Sequence, residues 1–275
     1  MPLKSILVAF SGDVASCSAL QLALSLQMRH SAYVTGVVWH GPLPLESRHR
    51  AFLSKDVASM LTGREDEAAQ RIGAEFTKRV AASGMPDKAS FIDLHEVETF
   101  SLPQQARAYD LVVMTRHAAE VGREHAEVRP DVVALRSGRP VITVPDDFAG
   151  QVPEHIVLAW DGKRAAARAL GDMLNLMPDI QKVTVVSVAK QPEPKAEAGD
   201  DVIAYLGRHG IEAQWLHRDA GRRRITHTLL DVCAEVGADM LSMGAYEHSK
   251  FTEDLLGGVT RDILTDARLP VMMSH

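Results

Sequence analysis

Two groups of residues in the second half of the chain have the types and spacing to hold an anionic ligand. Asp161-Gly162 follows the apolar run Ile156–Trp160. A carboxylate at the end of such a run accepts hydrogen bonds from a ligand's hydroxyl or amino groups. Gly244 follows a second apolar run, Met240–Met243, and a polar loop then leads to the pair Gly257-Gly258. Glycine lets backbone approach a ligand closely. A helix opening at Gly257-Gly258 presents free N–H groups at the positive end of its dipole, which suits a phosphate. Asp161 has a second reading as a helix N-cap, because Asp and Ser both cap well.

Other polar clusters offer less. Arg222-Arg223-Arg224 follows the run Glu212–Leu216. It either balances a phosphate or begins a helix in water, where its charge opposes the helix dipole. There are twelve histidines, yet His40, His49, His117, His125, His248 and His275 show no metal-ligand spacing. There is no Ser-His-Asp order, no paired-carboxylate signature and no Walker loop, so the expectation is a binding protein without catalytic residues. Cys17 and Cys233 read as two lone buried thiols of a reducing compartment. A net charge of −6 gives no footprint for nucleic acid or an anionic membrane. No stretch approaches the ~20 apolar residues of a membrane span. The first apolar run is too short for a signal peptide and is broken by Ser11-Gly12-Asp13. A cytoplasmic protein is expected.

The elements that must position these residues occur twice. Ile6-Leu7-Val8-Ala9-Phe10-Ser11-Gly12 returns as Ile156-Val157-Leu158-Ala159-Trp160-Asp161-Gly162. Tyr109–Met114 returns as Ala238–Met243, and Gly138–Val144 as Arg268–Ser274, in the same order. A repeat this long is a duplicated domain rather than a solenoid unit. With 275 residues, each copy is large enough for its own core. The boundaries expected are 1–147 for the first domain, a proline-bracketed linker at 148–153, and 154–275 for the second. In the first copy, strands are expected at Ser5–Phe10, Tyr33–Trp39, Phe91–Val97, Leu111–Met114 and Pro140–Val144. Its helices are expected at Ser16–Arg29, Arg64–Ser83 and Ser101–Ala108, with a last one ending at Gly138. The second copy repeats the plan, with its last helix over Gly258–Asp266. Continuous apolar strands alternating with helices predict two tandem, doubly wound, five-stranded parallel α/β domains. Ligands of such sheets bind at the carboxyl ends of the strands, where strand order reverses. In the first copy the matching places read Ser11-Gly12, and Thr115-Arg116 with no glycine after the strand.

At this point the chain resembles the universal stress proteins in their tandem two-domain form. The family pattern has a first strand ending in Asp-Gly-Ser, a Gly-x2-Gly-x9-Gly-Ser/Thr loop, and Pro-Val at the last strand. Asp161-Gly162, Gly244, Gly257 and Pro270-Val271 fit it. Glu247 stands where the middle glycine belongs, and Gly258 where the Ser/Thr belongs. The resemblance implies the adenine nucleotide alpha hydrolase-like fold and an adenine nucleotide, ATP or AMP, with Mg accompanying the nucleotide. Carried over by position, the binding residues are Asp161 and Val188 for base and ribose. Gly244, Gly257, Gly258, Val259 and Thr260 then hold the phosphates. The first domain's site is degenerate. The resemblance also implies an intrachain pseudo-dimer about a pseudo-two-fold axis, with Val141–Val144 against Val271–Ser274. Protein partners and a further homodimer are left open. Two other readings stay beside a nucleotide-binding stress-response protein: a nucleotide-free interaction module with both sites decayed, and a slow ATPase.

Overall fold

A computed structural model of the chain describes residues 3–40, 55–95, 101–116, 118–120, 123–177, 179–189, 197–245 and 258–275. The first repeat contributes β1 (Ser5–Ala9), α1 (Val14–His30), β2 (Tyr33–His40), α2 (Lys55–Ala81), β3 (Ala89–His95), α3 (Leu102–Ala106), β4 (Leu111–Thr115), β5 (Ala118–Glu120), β6 (Arg123–Val128), α4 (Pro130–Ser137) and β7 (Val141–Val144). The second contributes β8 (His155–Ala159), α5 (Arg164–Leu176), β9 (Lys182–Ala189), α6 (Glu197–Arg208), β10 (Glu212–Asp219), α7 (Ile225–Val236), β11 (Met240–Gly244), α8 (Gly258–Asp266) and β12 (Val271–Ser274). Among the described residues no helix is long and apolar enough to cross a membrane.

Ten strands form one sheet in the order β10-β9-β8-β11-β12-β7-β4-β1-β2-β3. Read outward from the centre, each half runs through its fifth, fourth, first, second and third strands. Pairing is parallel within each half, and β7 meets β12 antiparallel, with Thr143 opposite Val271, Ile142 opposite Met272 and Val141 opposite Met273. An antiparallel seam between two equivalent strands makes the halves related by a pseudo-two-fold axis, as expected. It also sends the carboxyl ends of the two parallel sets to opposite edges of the sheet. The inner strands are buried, β4 along its whole length and β11 up to Gly244, because helices cover both faces.

The apolar core is continuous across the seam. On one face, α1, α2, α5 and α6 share a cluster that includes Leu22, Phe76, Met173 and Leu206. On the other, α3, α4, α7 and α8 share one that includes Leu102, Val133, Val232 and Ile263. Segment 145–152 is part of this packing. Ser18 Oγ donates to the Asp146 carbonyl at 2.7 Å, and Phe148 and Val152 pack on the first cluster. Gly150 has φ +82°, and a Cβ there would lie 2.8 Å from Gln21 Cβ.

An aspartate joins strands 1 and 4 identically in both repeats. Asp110 Oδ2 accepts the Lys4 and Ser5 N–H groups, both at 2.9 Å. Asp239 Oδ2 accepts those of Glu154 and His155, at 3.1 and 2.8 Å. The first strand enters the sheet with these donors otherwise unmatched, so the carboxylate fixes its start.

Three details differ from the sequence expectations. Helix α2 starts at Lys55 rather than near Arg64. A short antiparallel hairpin, β5–β6, follows β4 where only a loop and helix were expected. Its polar sequence gives no period-2 apolar signal. Cys17 is half-buried rather than buried, whereas Cys233 is buried and its thiol is pushed up to about 12 by desolvation.

Two histidines tie stability to pH. Burial lowers the pKa of His155 below 6.5, and the Lys182 charge adds to that; its Nε2 lies 2.9 Å from Thr184 Oγ1, which also accepts from Gln214 Nε2. Burial likewise lowers His30, at the C-terminus of α1. A group whose folded pKa is depressed binds its proton first in the unfolded chain. Stability is therefore full above about pH 6.5 and falls as pH drops below it. Urea midpoints measured between about pH 8 and 5 are expected to decline on the acid side, and less steeply in His155→Gln. Equal slopes for the two proteins would show that His155 carries none of the effect.

Candidate functional site

In the second repeat, strand order reverses between β8 and β11. Asp161 leaves the carboxyl end of β8, Val188 lies near the end of the adjacent β9, and Gly244 ends β11. The register confirms that they share one edge: Ala159 pairs with Val186, and Ser242 with Leu158. Val188 is half-buried against the α7–α8 cluster. Helix α8 begins at Gly258, with Val259 half-buried and Thr260 only 5% exposed. Glu247 and Gly257 lie outside the described residues.

Asp161 is not the cap of α5. The N-cap is Lys163, which makes no side-chain cap hydrogen bond. Asp161 Oδ1 instead accepts the Lys163 N–H at 3.1 Å, and its Oδ2 lies 3.8 Å from Lys163 Nζ. The carboxylate is about half-exposed at 52%, so it remains accessible to a ligand. Gly162 between them has φ +74°, and its counterpart Gly12 has φ +81°, a left-handed turn that glycine adopts without strain.

The two repeats treat their helix starts differently. In the first, Asp13 caps α1: its Oδ1 accepts the Ser16 N–H at 2.6 Å, and its Oδ2 accepts from Ser11 Oγ at 2.8 Å. A carboxylate is therefore present beyond β1, displaced to the other side of the glycine and engaged with its own helix. At α4, fully buried Asp131 accepts the Val132 N–H at 3.0 Å and pairs with Arg129. Both helix starts that could receive an anion in the first repeat thus carry the protein's own carboxylate. In the second repeat, α5 and α8 have no acidic residue in the first turn. Among the described residues, the first turns of α5 and α8 thus carry no carboxylate of their own to compete with an anion, and Asp161 takes only the Lys163 N–H ahead of α5. Asp13 and Asp131 were not singled out in the sequence, although an Asp three residues before the N–H it caps, as Asp13 is before Ser16, is a readable signal.

Gly244 has a packing reason that the sequence reading did not contain. A Cβ at this position would lie 2.5 Å from the Ala165 carbonyl carbon, 2.6 Å from Ala165 Cβ and 2.7 Å from Ala166 N. The first turn of α5 sits directly on the end of β11, so the missing side chain is filled by protein backbone. Glycine here brings the α5 N-terminus down onto the switch point. In the first repeat the matching residue is Thr115, which is buried.

The arginine run is engaged in ion pairs. Arg223 pairs with Asp231 at 2.7 Å, and Arg224 with Asp262 at 2.9 Å. Arg224 thereby ties the start of α7 to α8 one turn after Gly258. Both arginines are more than half exposed, as for a solvated helix start. Among the described residues there is no group of three or more His, Cys, Asp or Glu side chains arranged to hold a metal ion.

In a doubly wound α/β sheet the ligand edge is the carboxyl end of the strands at the switch point, which is where these residues lie. Comparison with solved structures makes this specific. A universal stress protein from Archaeoglobus fulgidus DSM 4304 matches with a TM-score of 0.73 and 14% identity, over 98% of this chain and 95% of that one. A functionally unknown protein from Pseudomonas aeruginosa PAO1 matches with a TM-score of 0.60 and 13% identity, over 99% and 92%. The chain has the universal stress protein fold in its tandem two-domain form. No protein-family model and no curated sequence matches it.

Proposed function

We propose that the chain is a cytoplasmic universal stress protein that acts in a stress response and binds one adenine nucleotide, ATP or AMP, in its second domain. The domains would be 1–147, with a degenerate site, and 154–275, joined by 148–153. Asp161 and Val188 would hold base and ribose. Gly244, Gly257, Gly258, Val259 and Thr260 would frame the phosphates, with Mg accompanying ATP. The observation that carries this reading is the asymmetry of the helix starts. Asp13 and Asp131 satisfy those of the first repeat, while α5 and α8 of the second carry no acidic first turn. No residue stands out as a base to activate water, so binding rather than turnover is the reading.

Glu247 decides the ligand's charge. It stands in the sequence where the family pattern has a glycine, and the resemblance would bring its carboxylate toward the phosphates. Two like charges ~4 Å apart cost ~4 kcal/mol at the effective dielectric of a protein surface. AMP or adenosine is therefore expected to bind at least as well as metal-free ATP. Glu247→Gly is expected to strengthen ATP binding at least about tenfold. Calorimetric titration of both proteins tests this. Tight metal-free ATP binding that Glu247→Gly leaves unchanged would show that the side chain points away. No heat with any adenine nucleotide, in either protein, would favour the alternative of an interaction module without nucleotide.

A further inference from the structure

Helix α8, whose start belongs to the proposed phosphate site, is held at its other end by the first repeat. Arg116 follows β4 and reaches past the end of β7 to α8. Its Nη1 donates to the Thr265 carbonyl at 2.5 Å and to the Leu264 carbonyl at 3.4 Å. Both carbonyls lie in the last turn of α8, where a helix leaves its final four carbonyls without internal partners. Arg116 also lines a small cleft at the seam with Thr143, Val144, Leu264 and Ala267.

Helix α8 needs outside support for two reasons. At nine residues it is too short to hold its shape alone. Its last turn has no basic residue and ends on Asp266, whose charge opposes the helix dipole. Side chains of other elements make up the deficit. Arg224 at the start of α7 pairs with Asp262 at 2.9 Å, and His227 lies 3.6 Å from Asp266. Arg116 supplies the cation at the bare carbonyls. Of these three, only Arg116 comes from the first repeat.

The contact has no mirror image. Thr115 stands opposite Val144 as Gly244 stands opposite Ser274, so the counterpart of Arg116 is Ala245, whose methyl cannot reach across. Ala245 is closed within its own repeat, its N–H donating to the Ser274 carbonyl and its carbonyl accepting from His275 Nδ1, both at 2.8 Å. In the first repeat, the Arg136 carbonyl of α4 is served by Arg107 of that same repeat, at 3.2 Å.

We propose that Arg116 is a positioning residue for the second repeat's ligand site: it fixes α8 from the first repeat, and through α8 it sets the affinity for the nucleotide. This rests on the nucleotide reading above. A cation at the carbonyl end and a phosphate at the amino end of one short helix favour the same ordered state, so each strengthens the other. The corner between β4 and β5, where Arg116 sits, is thereby coupled to the site in the other repeat.

Arg116→Met keeps the length of the side chain and removes its charge. In the full-length protein without ligand, hydrogen exchange at residues 259–267 is expected to be at least about tenfold faster in this variant, with α7 and β11 unchanged. Calorimetric titration with AMP is expected to give an affinity at least about threefold weaker, with Arg116→Lys between the variant and wild type. AMP is also expected to slow exchange at residues 111–116 in wild type and not in Arg116→Met. A contact that served only folding would not carry that effect across the seam. Unchanged exchange of α8 in Arg116→Met overturns the proposal, as does a loss of protection spread evenly over the second repeat, or equal AMP affinity in the two proteins. The exchange comparison uses no nucleotide, so it judges the hold on α8 even if wild type gives no heat with AMP, a result that sinks the nucleotide reading instead.

Discussion

Gly244→Ala is expected to lower the stability of the folded chain by roughly 3 kcal/mol, the upper range for overpacking a tight site. The new methyl would sit 2.5 Å from a backbone carbon of α5, where no side chain can rotate away. Helix α5 must lift from β11 or the strand end must bend. At about 2–4 °C per kcal/mol for a chain of this order, the melting temperature should fall by ~6–12 °C. The same substitution should weaken any nucleotide binding, because it moves the α5 start away from the switch point. Thr115→Ala is the matched control in the first repeat. It removes a buried side chain at the corresponding register and is expected to cost about 1 kcal/mol. Denaturant unfolding of the two variants gives the comparison. A loss in Gly244→Ala no larger than in Thr115→Ala would show that α5 yields easily.

Phe76→Ala is expected to cost more, about 3–5 kcal/mol. Phe76 is 1% exposed on α2, with its ring centroid 5.7 Å from Phe10 and 5.4 Å from Phe91. It covers Gly36 of β2, whose absent Cβ would fall 2.5 Å from the ring. Truncation would open a cavity over β2 that neither neighbour can fill without leaving its own contacts. The core clusters run through both repeats, so this lesion in the first repeat is expected to lower the unfolding midpoint of the second equally. Hydrogen exchange can follow each repeat separately. A second repeat that keeps its protection while the first loses it would show that the halves unfold independently.

These sites also show what the sequence could and could not convey. The strands were legible because parallel strands covered on both faces read as unbroken apolar runs. β1, β4 and β7 announce themselves as copies of β8, β11 and β12 for the same reason. The β7–β12 pairing came from the family resemblance, since no local pattern says which edges meet. The first turns of α2 were missed because Gly63 interrupts the helical spacing that Val57, Met60 and Leu61 set up ahead of it. At the candidate site, Asp161 was placed at the right strand end, but its use was not decided. An Asp before glycine and an Asp after it look alike in sequence, yet Asp13 is committed to its helix and Asp161 is half-exposed. Gly244 has a packing reason that the sequence did not convey. A glycine demanded by an approaching helix and one demanded by a ligand leave the same letter.

The seam between β7 and β12 has a consequence for how the protein behaves on dilution. Two separate chains held by such a ladder would part as their concentration fell, and their stability would depend on it. Here both strands belong to one chain, and only a short packed segment separates β7 from β8. The partner strand is present at a fixed, high effective concentration whatever the amount of protein. Pairing at the centre of the sheet is thus insensitive to expression level. The covalent link also frees each half from matching the other, since a single chain can carry Asp131 in one repeat and leave α8 without an acidic first turn in the other, which two identical chains cannot do.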